Sequence, residues 1–296
     1  KYYPLVPDAE ITLEANPDDV TKEAVKTWKA LGINRLSIGI QSFFEEELRW
    51  MNRAHNAEQA KACIENSYAA GIDNLSIDLI YGSPLLTDEM WEQNIRTALD
   101  FDIKHLSCYA LTVEEKTPLH KNIVLKKTVD VDSDKQARQF LNLMQRLSGA
   151  GYEHYEVSNF ARPGFRSKHN ASYWKGVSYL GLGPSAHSFN GRERRWNIPN
   201  NNVYIKTIND GTPQREVEVL TPEQQLNETI MISLRTMEGI DLEKIEKVWG
   251  EKEKQRLQKD LSKYIRSGLV KQTNHHAQLT DEGMLRADGI AADLFV

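Results

Sequence analysis

Glu14, Gln41 and Asp78 occupy matching places in three short segments, EITLEA, NRLSIGIQ and LSIDLIY. Two carboxylates accept hydrogen bonds from amine and hydroxyl groups, and a carboxamide both donates and accepts. Together they suit a polar, nucleoside-like ligand. Their surroundings share the bias. One parity of each segment is apolar: Ile11, Leu13 and Ala15, then Leu36, Ile38 and Ile40, then Leu75, Ile77 and Leu79. The other is polar or small: Glu10, Thr12 and Glu14, then Ser37, Gly39 and Gln41, then Ser76 and Asp78. A fourth segment sets Ser107 and Tyr109 against Leu106, Cys108 and Ala110. Burying such a face without partners costs ~1–3 kcal/mol per polar group. Two readings follow: a polar interior whose members satisfy one another, or a ligand cavity. For any one residue they weigh equally; four segments with the same bias favour the ligand.

The elements that must hold these residues follow from a repeat. GINRLSIGI (32–40) aligns with GIDNLSIDL (71–79) at a spacing of 39 residues, and DIKHLSCYA (102–110) is a shorter echo. Helix-like stretches precede each, at 21–31, 57–70 and 88–101. Thr21 and Thr87 suit helix N-caps, and Gly32 and Gly71 suit C-terminal turns. Such alternation means βα units and a parallel sheet, not a helical solenoid. Folds of this kind place ligands at the C-terminal ends of their strands, where Glu14, Gln41 and Asp78 fall.

Composition narrows the class. The 296 residues are 40% hydrophobic with a net charge of −5, which suits a water-soluble globular protein and disfavours nucleic acid as main partner. No apolar run reaches the ~18 residues of a membrane span, and KYYPLVPDAE has no signal-peptide core. The two cysteines, Cys63 and Cys108, have no metal-ligand spacing, so reduced, buried thiols in a cytoplasmic protein are expected.

LEANP (13–17), NRLSIGIQSF (34–43), MNRAH (51–55) and NLSIDLIYGSP (74–84) resemble the radical S-adenosylmethionine (SAM) core of oxygen-independent coproporphyrinogen III oxidases. YEVSNFARPG (155–164), HNASYW (169–174), YLGLGPSAHS (179–188), RWN (195–197), LRTMEGIDL (234–242) and LTDEG (279–283) extend the likeness through nearly the whole chain, toward a heme chaperone branch. The resemblance implies SAM contacts at Glu14, Gln41, Arg53, Asp78 and Thr112, and a heme ligand at His169. Near it in sequence, Arg162, Arg166 and Lys168 suit charge-assisted contacts to heme propionates. Without the resemblance, His169 and Asn170 read as loop hydrogen-bonders, and Arg53 as a solvated or wall-supporting arginine. His187 has a similar standing with a less defined role, and Arg192, Arg194 and Arg195 form a solvated basic cluster or a second propionate contact.

One departure is large. The family holds a [4Fe–4S] cluster through CxxxCxxC and follows it with GGGTP; neither motif occurs here. Cys63 falls on a helix and Cys108 on the apolar parity, so neither replaces the missing thiolates. The chain is therefore expected to be an N-terminally truncated form or fragment, unable to hold the cluster or cleave SAM as it stands. Its fold is expected to be α/β: a partial (β/α) barrel of the radical SAM type lacking its first strands, with an open edge and half a cofactor site.

Residues 1–150 read as that barrel, 151–220 as a connecting region carrying HNASYW, and 221–296 as a small helical, winged-helix-like domain. Within the last, mixed charge along EKEKQRLQKDLSKYIRSG argues against a DNA-reading helix, and His275-His276 read as an incidental pair in a turn. The implied function is a heme chaperone that binds heme, with a cluster and SAM when intact, and delivers heme to an unidentified acceptor protein. The alternatives are the oxidase of coproporphyrinogen III and a non-catalytic interaction protein.

Overall fold

Ile38, Ile40, Leu75, Ile77 and Leu79 are wholly buried, because each lies on the apolar parity of a central strand beneath helices. Full burial of such a side chain contributes ~1.5–3 kcal/mol. These residues belong to β1 (Thr12–Ala15), β2 (Arg35–Gln41), β3 (Leu75–Tyr81) and β4 (His105–Ala110), which run parallel in that order. The connecting helices are α1 (Lys22–Ala30), α2 (Glu45–Trp50), α3 (Ala57–Ala69) and α4 (Asp88–Asp100). Thr21 and Thr87 cap α1 and α4 through their hydroxyls, and Gly32 and Gly71 adopt positive φ just beyond α1 and α3. The computed structural model describes residues 4–296. They form two units, one ending at Ser167 and one spanning Lys168–Val296.

The first unit continues through α5 (Pro118–Val124), α6 (Ser133–Gly149), β5 (Glu153–Glu156) and β6 (Asn159–Ala161). α5 forms because Thr117 caps it and Pro118 pre-sets its first turn. β6 pairs antiparallel with β4, and β5 with β6, giving the order β1-β2-β3-β4-β6-β5. The first residues of the stretch read as a connecting region thus extend the sheet. α4 and α6 are pinned together by Trp91, which is fully buried and donates its indole N–H to Gln139 O at 2.9 Å. Gln139 Oε1 accepts from Gly82 N at 2.8 Å, fixing the YGSP segment at the end of β3.

In the second unit α7 (Lys168–Trp174) precedes a sheet of β7 (His187–Phe189), β8 (Glu193–Asn197) and β9 (Arg215–Val219), with α8 (Asn201–Asn209) between β8 and β9. Then follow α9 (Pro222–Leu234), β10 (Ile240–Asp241), α10 (Leu242–Trp249), α11 (Glu251–Arg266), β11 (Val270–Thr273) and β12 (His276–Leu279). The chain closes with α12 (Asp281–Met284) and α13 (Ala287–Asp293). Thr221 and Gln224 form a capping box at α9. Helix, helix and hairpin, with β10 added beside β12, make the winged-helix-like arrangement. Along α11, Arg256 pairs with Glu253 and Asp260, and Lys254 with Glu246, which leaves a mixed, solvated face. No described helix is long and apolar enough to cross a membrane.

Candidate functional site

Register stacks the polar parity into rows. Glu14 lies beside Ser37, Ser37 beside Ser76, and Ser76 beside His105. A second row, nearer the C-terminal strand ends, sets Asp78 beside Ser107 and Ser107 beside Asn159. Leu36, Ser37 and Ile38 face Leu75, Ser76 and Ile77, the same 39-residue offset that the sequence repeat shows. Beyond Ile38 the register slips and Gln41 comes to face Leu79. The slip is a bulge, a device that re-aims one side chain. Gln41 there holds φ 65°, a left-handed conformation that is uncommon for a residue with a Cβ.

Gly39 leaves the space this bend uses. A Cβ on it would lie 2.8 Å from Gln41 Nε2 and 3.4 Å from Arg53 Nη2. Arg53 Nη2 donates to Asn16 Oδ1 at 2.9 Å and to Gly39 O at 3.4 Å, while its buried Nε has no partner. Gln41 and Arg53 also line a cavity of about 1040 Å³, together with Trp50, Met51, Leu119 and Val129. Burial pushes the Asp78 carboxyl up to about 6; Glu14 adds to the rise, while Ser107, Arg35 and Arg53 oppose it. Glu14 is exposed on the outer strand, and Thr112, also exposed, donates its hydroxyl to Ala110 O at 3.4 Å just beyond β4. Glu14, Gln41, Arg53 and Asp78 thus gather at one end of one polar face.

In the row of Glu14, and one step further from the strand ends at Arg35, lies a buried network that the sequence reading left unassigned. Arg35 is 2% exposed and donates from Nη1 to Asn74 Oδ1 at 2.8 Å, with its Nε unpartnered. His105 is fully buried, with Ser76 Oγ on Nδ1 and the Tyr155 hydroxyl on Nε2, both at 2.7 Å. Burial, then the Arg35 charge, holds its ring well below the ordinary value, so it is neutral. Both residues share the parity of Ser37 and Ser107, and that signal would have found them. Asn16, the partner of Arg53, sits inside the LEANP motif.

A site with an unpartnered guanidinium nitrogen, a carboxyl held near neutrality and a glycine-made hollow fits SAM, which offers a carboxylate, an amine and ribose hydroxyls. The cysteines do not fit an iron–sulfur cluster. Cys63 is buried within α3, bonds Ala60 O at 3.2 Å, and has its thiol pushed up to about 12 by burial. Cys108 is buried on the helix-facing side of β4, its thiol likewise raised by burial.

His169 lies in the second unit, exposed on α7, with Tyr173 O–H against its Nε2 at 3.0 Å and the two rings edge-to-face. The chain just beyond carries exposed Tyr173, Val177, Leu180 and Leu182, the last at 79% exposure. Trp174 N–H, buried without a partner, lines a separate pocket of about 380 Å³ with Tyr179, Phe189, Arg194 and Trp249. Of the expected propionate contacts, Arg162 pairs with Ala150 O and lies over the Tyr152 ring at 4.4 Å, and Arg166 pairs with Glu153 at 2.9 Å. Arg194 pairs with Glu228 at 2.8 Å and Arg195 with Glu193 at 2.6 Å, which largely neutralises that cluster.

Residues 3–98 match the family model of the radical SAM superfamily, and residues 220–286 that of the HemN C-terminal domain. A protein named heme chaperone HemW from Bacillus subtilis (strain 168) is 33% identical over 279 residues, spanning 94% of this chain and 73% of that protein. One of the same name from Escherichia coli (strain K12) is 37% identical over 184 residues, 62% of this chain and 48% of that protein. Among solved structures, the Escherichia coli coproporphyrinogen III oxidase HemN, described as a radical SAM enzyme, superposes with a TM-score of 0.74 at 23% identity. That match covers 98% of this chain and 70% of the oxidase, and it is a likeness of fold.

Proposed function

The chain belongs to the HemW family of heme chaperones within the radical SAM superfamily, and from that premise we propose that it carries heme to an acceptor protein in the cytoplasm. The observation that supports this most is the exposed His169 imidazole, followed along the chain by exposed Val177, Leu180 and Leu182. Heme iron is commonly held by a histidine, and an apolar macrocycle needs apolar surface. A carrier must also release its cargo, and a ligand on the surface suits transfer better than one enclosed in a core. Tyr173 O–H orients the ring through Nε2, and ligation there requires the hydroxyl to move aside.

In the first unit, SAM supplies an adenosyl sulfonium when bound. Arg53 would pair with its carboxylate through charge-assisted bonds. Asp78 and Glu14 would accept from its hydroxyl and amine groups, Gln41 would offer both donor and acceptor, and Thr112, just beyond β4, is the further contact that the resemblance implies. Cys63 and Cys108, both buried, do not fit the [4Fe–4S] cluster of the superfamily.

The test is a hemin titration of the purified chain and its His169→Ala variant under reducing conditions. Saturable one-to-one binding with a defined Soret band, lost in the variant, is expected. Equal, weak binding by both proteins would remove His169 as ligand and with it this reading.

A further inference from the structure

The winged-helix-like segment carries a second constellation, remote in sequence from the SAM and heme residues. Asp241 ends β10 and faces His276, the first residue of β12, across an antiparallel pair. Directly opposed residues project from the same face of a sheet. His275 precedes His276 in the turn, which Asn274 makes tight by adopting φ 55°. The two imidazoles lie with ring centroids 4.3 Å apart. One ligand atom from each of Asp241, His275 and His276 falls within 4.8 Å of the others.

Hydrogen bonding shows what these groups lack. Asp241 Oδ1 is committed to capping α10, accepting from Glu243 N at 3.0 Å and Lys244 N at 3.1 Å. Its second oxygen has no partner among the described residues. His276 Nδ1 is buried and also unpartnered. Burying a ring nitrogen with nothing to bond is unfavourable, and a bound cation relieves it. His275 Nδ1 also lies 3.6 Å from Glu243 Oε1, an exposed carboxylate outside that cluster. The backbone is already fixed: Leu242 N donates to His275 O at 2.9 Å, tying the turn to the start of α10.

We propose that Asp241, His275 and His276, with water as the fourth ligand, bind a divalent transition ion of the Zn2+ class that clamps the β11–β12 hairpin to the N-terminus of α10. Two imidazoles and a carboxylate oxygen form a borderline donor set, suited to such an ion and poorly suited to Ca2+ or Mg2+, which take oxygen alone. Metal–ligand bonds of ~2.0–2.2 Å place tetrahedral donors roughly 3.3 Å apart. Rotation of the half-exposed His275 ring and a small shift of the Asp241 carboxylate close the remaining gap. The ion binds segments far apart in sequence, so its effect is to stiffen the wing.

The full chain, stripped with a chelator, is titrated with Zn2+ by calorimetry and with Co2+ by absorbance, beside His276→Ala and Asp241→Asn. Asparagine still caps a helix, so Asp241→Asn removes the charged donor while keeping the metal-free melting temperature. Wild type is expected to bind one Zn2+ saturably, to melt higher with it, and to show the intense visible bands of tetrahedral Co2+. Each substitution is expected to weaken binding by about tenfold or more and to abolish the rise in melting temperature. An absence of saturable binding, or equal affinity in wild type and both variants, overturns the proposal. Because His169 is intact in all three proteins, the result stands apart from the heme titration.

Discussion

Asp78→Asn should make the ligand-free chain more stable at neutral pH. The carboxyl titrates at about 6 in the folded protein against an ordinary 3.8, mainly because burial disfavours its charge. Between roughly pH 4 and pH 6 the folded chain holds this proton and the unfolded chain does not, so stability falls as pH rises through that window. Above it both states are ionised, and the full cost persists. At ~1.4 kcal/mol per tenfold change in proton affinity, the displacement corresponds to about 3 kcal/mol. Partial solvent access reduces this to about 2 kcal/mol. Asparagine keeps the shape and a hydrogen-bonding oxygen but never ionises. Urea unfolding of both proteins from pH 4 to pH 8 is the assay. The variant is expected to gain about 2 kcal/mol at pH 7.5 and to show no gain near pH 4. A variant less stable at pH 7.5, or a difference that does not change with pH, would refute the argument that a desolvated charge is being maintained there. A residue that costs stability when nothing is bound is what a ligand-binding carboxylate looks like.

Two further outcomes follow from the same geometry. Gly39→Ala places a methyl 2.8 Å from Gln41 Nε2 and displaces that side chain, so calorimetry with SAM should show affinity weakened about fivefold or more, with little change in melting temperature because the displaced group is a side-chain tip. Cys63 and Cys108 are both buried with raised thiol pKa, so neither should react with a thiol reagent at pH 8 until urea unfolds the chain, whereupon both should react. Rapid labelling of either in the native state would place it outside the packed, helix-covered face.

Much of the first unit was legible because its determinants are local. The alternation of Leu36, Ile38 and Ile40 with Ser37, Gly39 and Gln41 fixes which way each side chain points once a strand forms. The 39-residue repeat even carries the β2–β3 register, since equivalent residues of equivalent units come to lie side by side. The caps at Thr21 and Thr87 are equally short-range, because each side chain bonds a backbone group three residues on. The candidate positions Glu14, Gln41 and Asp78 came from those patterns, and Arg53, Thr112 and His169 entered through the resemblance alone.

Tertiary structure decided the rest. The bulge that turns Gln41 arises where the repeat breaks, and it depends on the space left by Gly39 and filled by Arg53 from another segment. The antiparallel β5 and β6 carry too few residues for a periodicity to show, and they become strands only because β4 offers an edge. The parity of Arg35 and His105 places them on the polar face, but their behaviour is set only when the sheet buries them: desolvation acts on both, and the Arg35 charge acts further on His105. His275 and His276 read as an incidental turn for the same reason: Asp241 comes from a distant segment, and only the pairing of β10 with β12 makes them neighbours. Local sequence specifies dihedral angles and the faces of elements; the electrostatics and ligand geometry of a site depend on residues the chain brings together only when it closes.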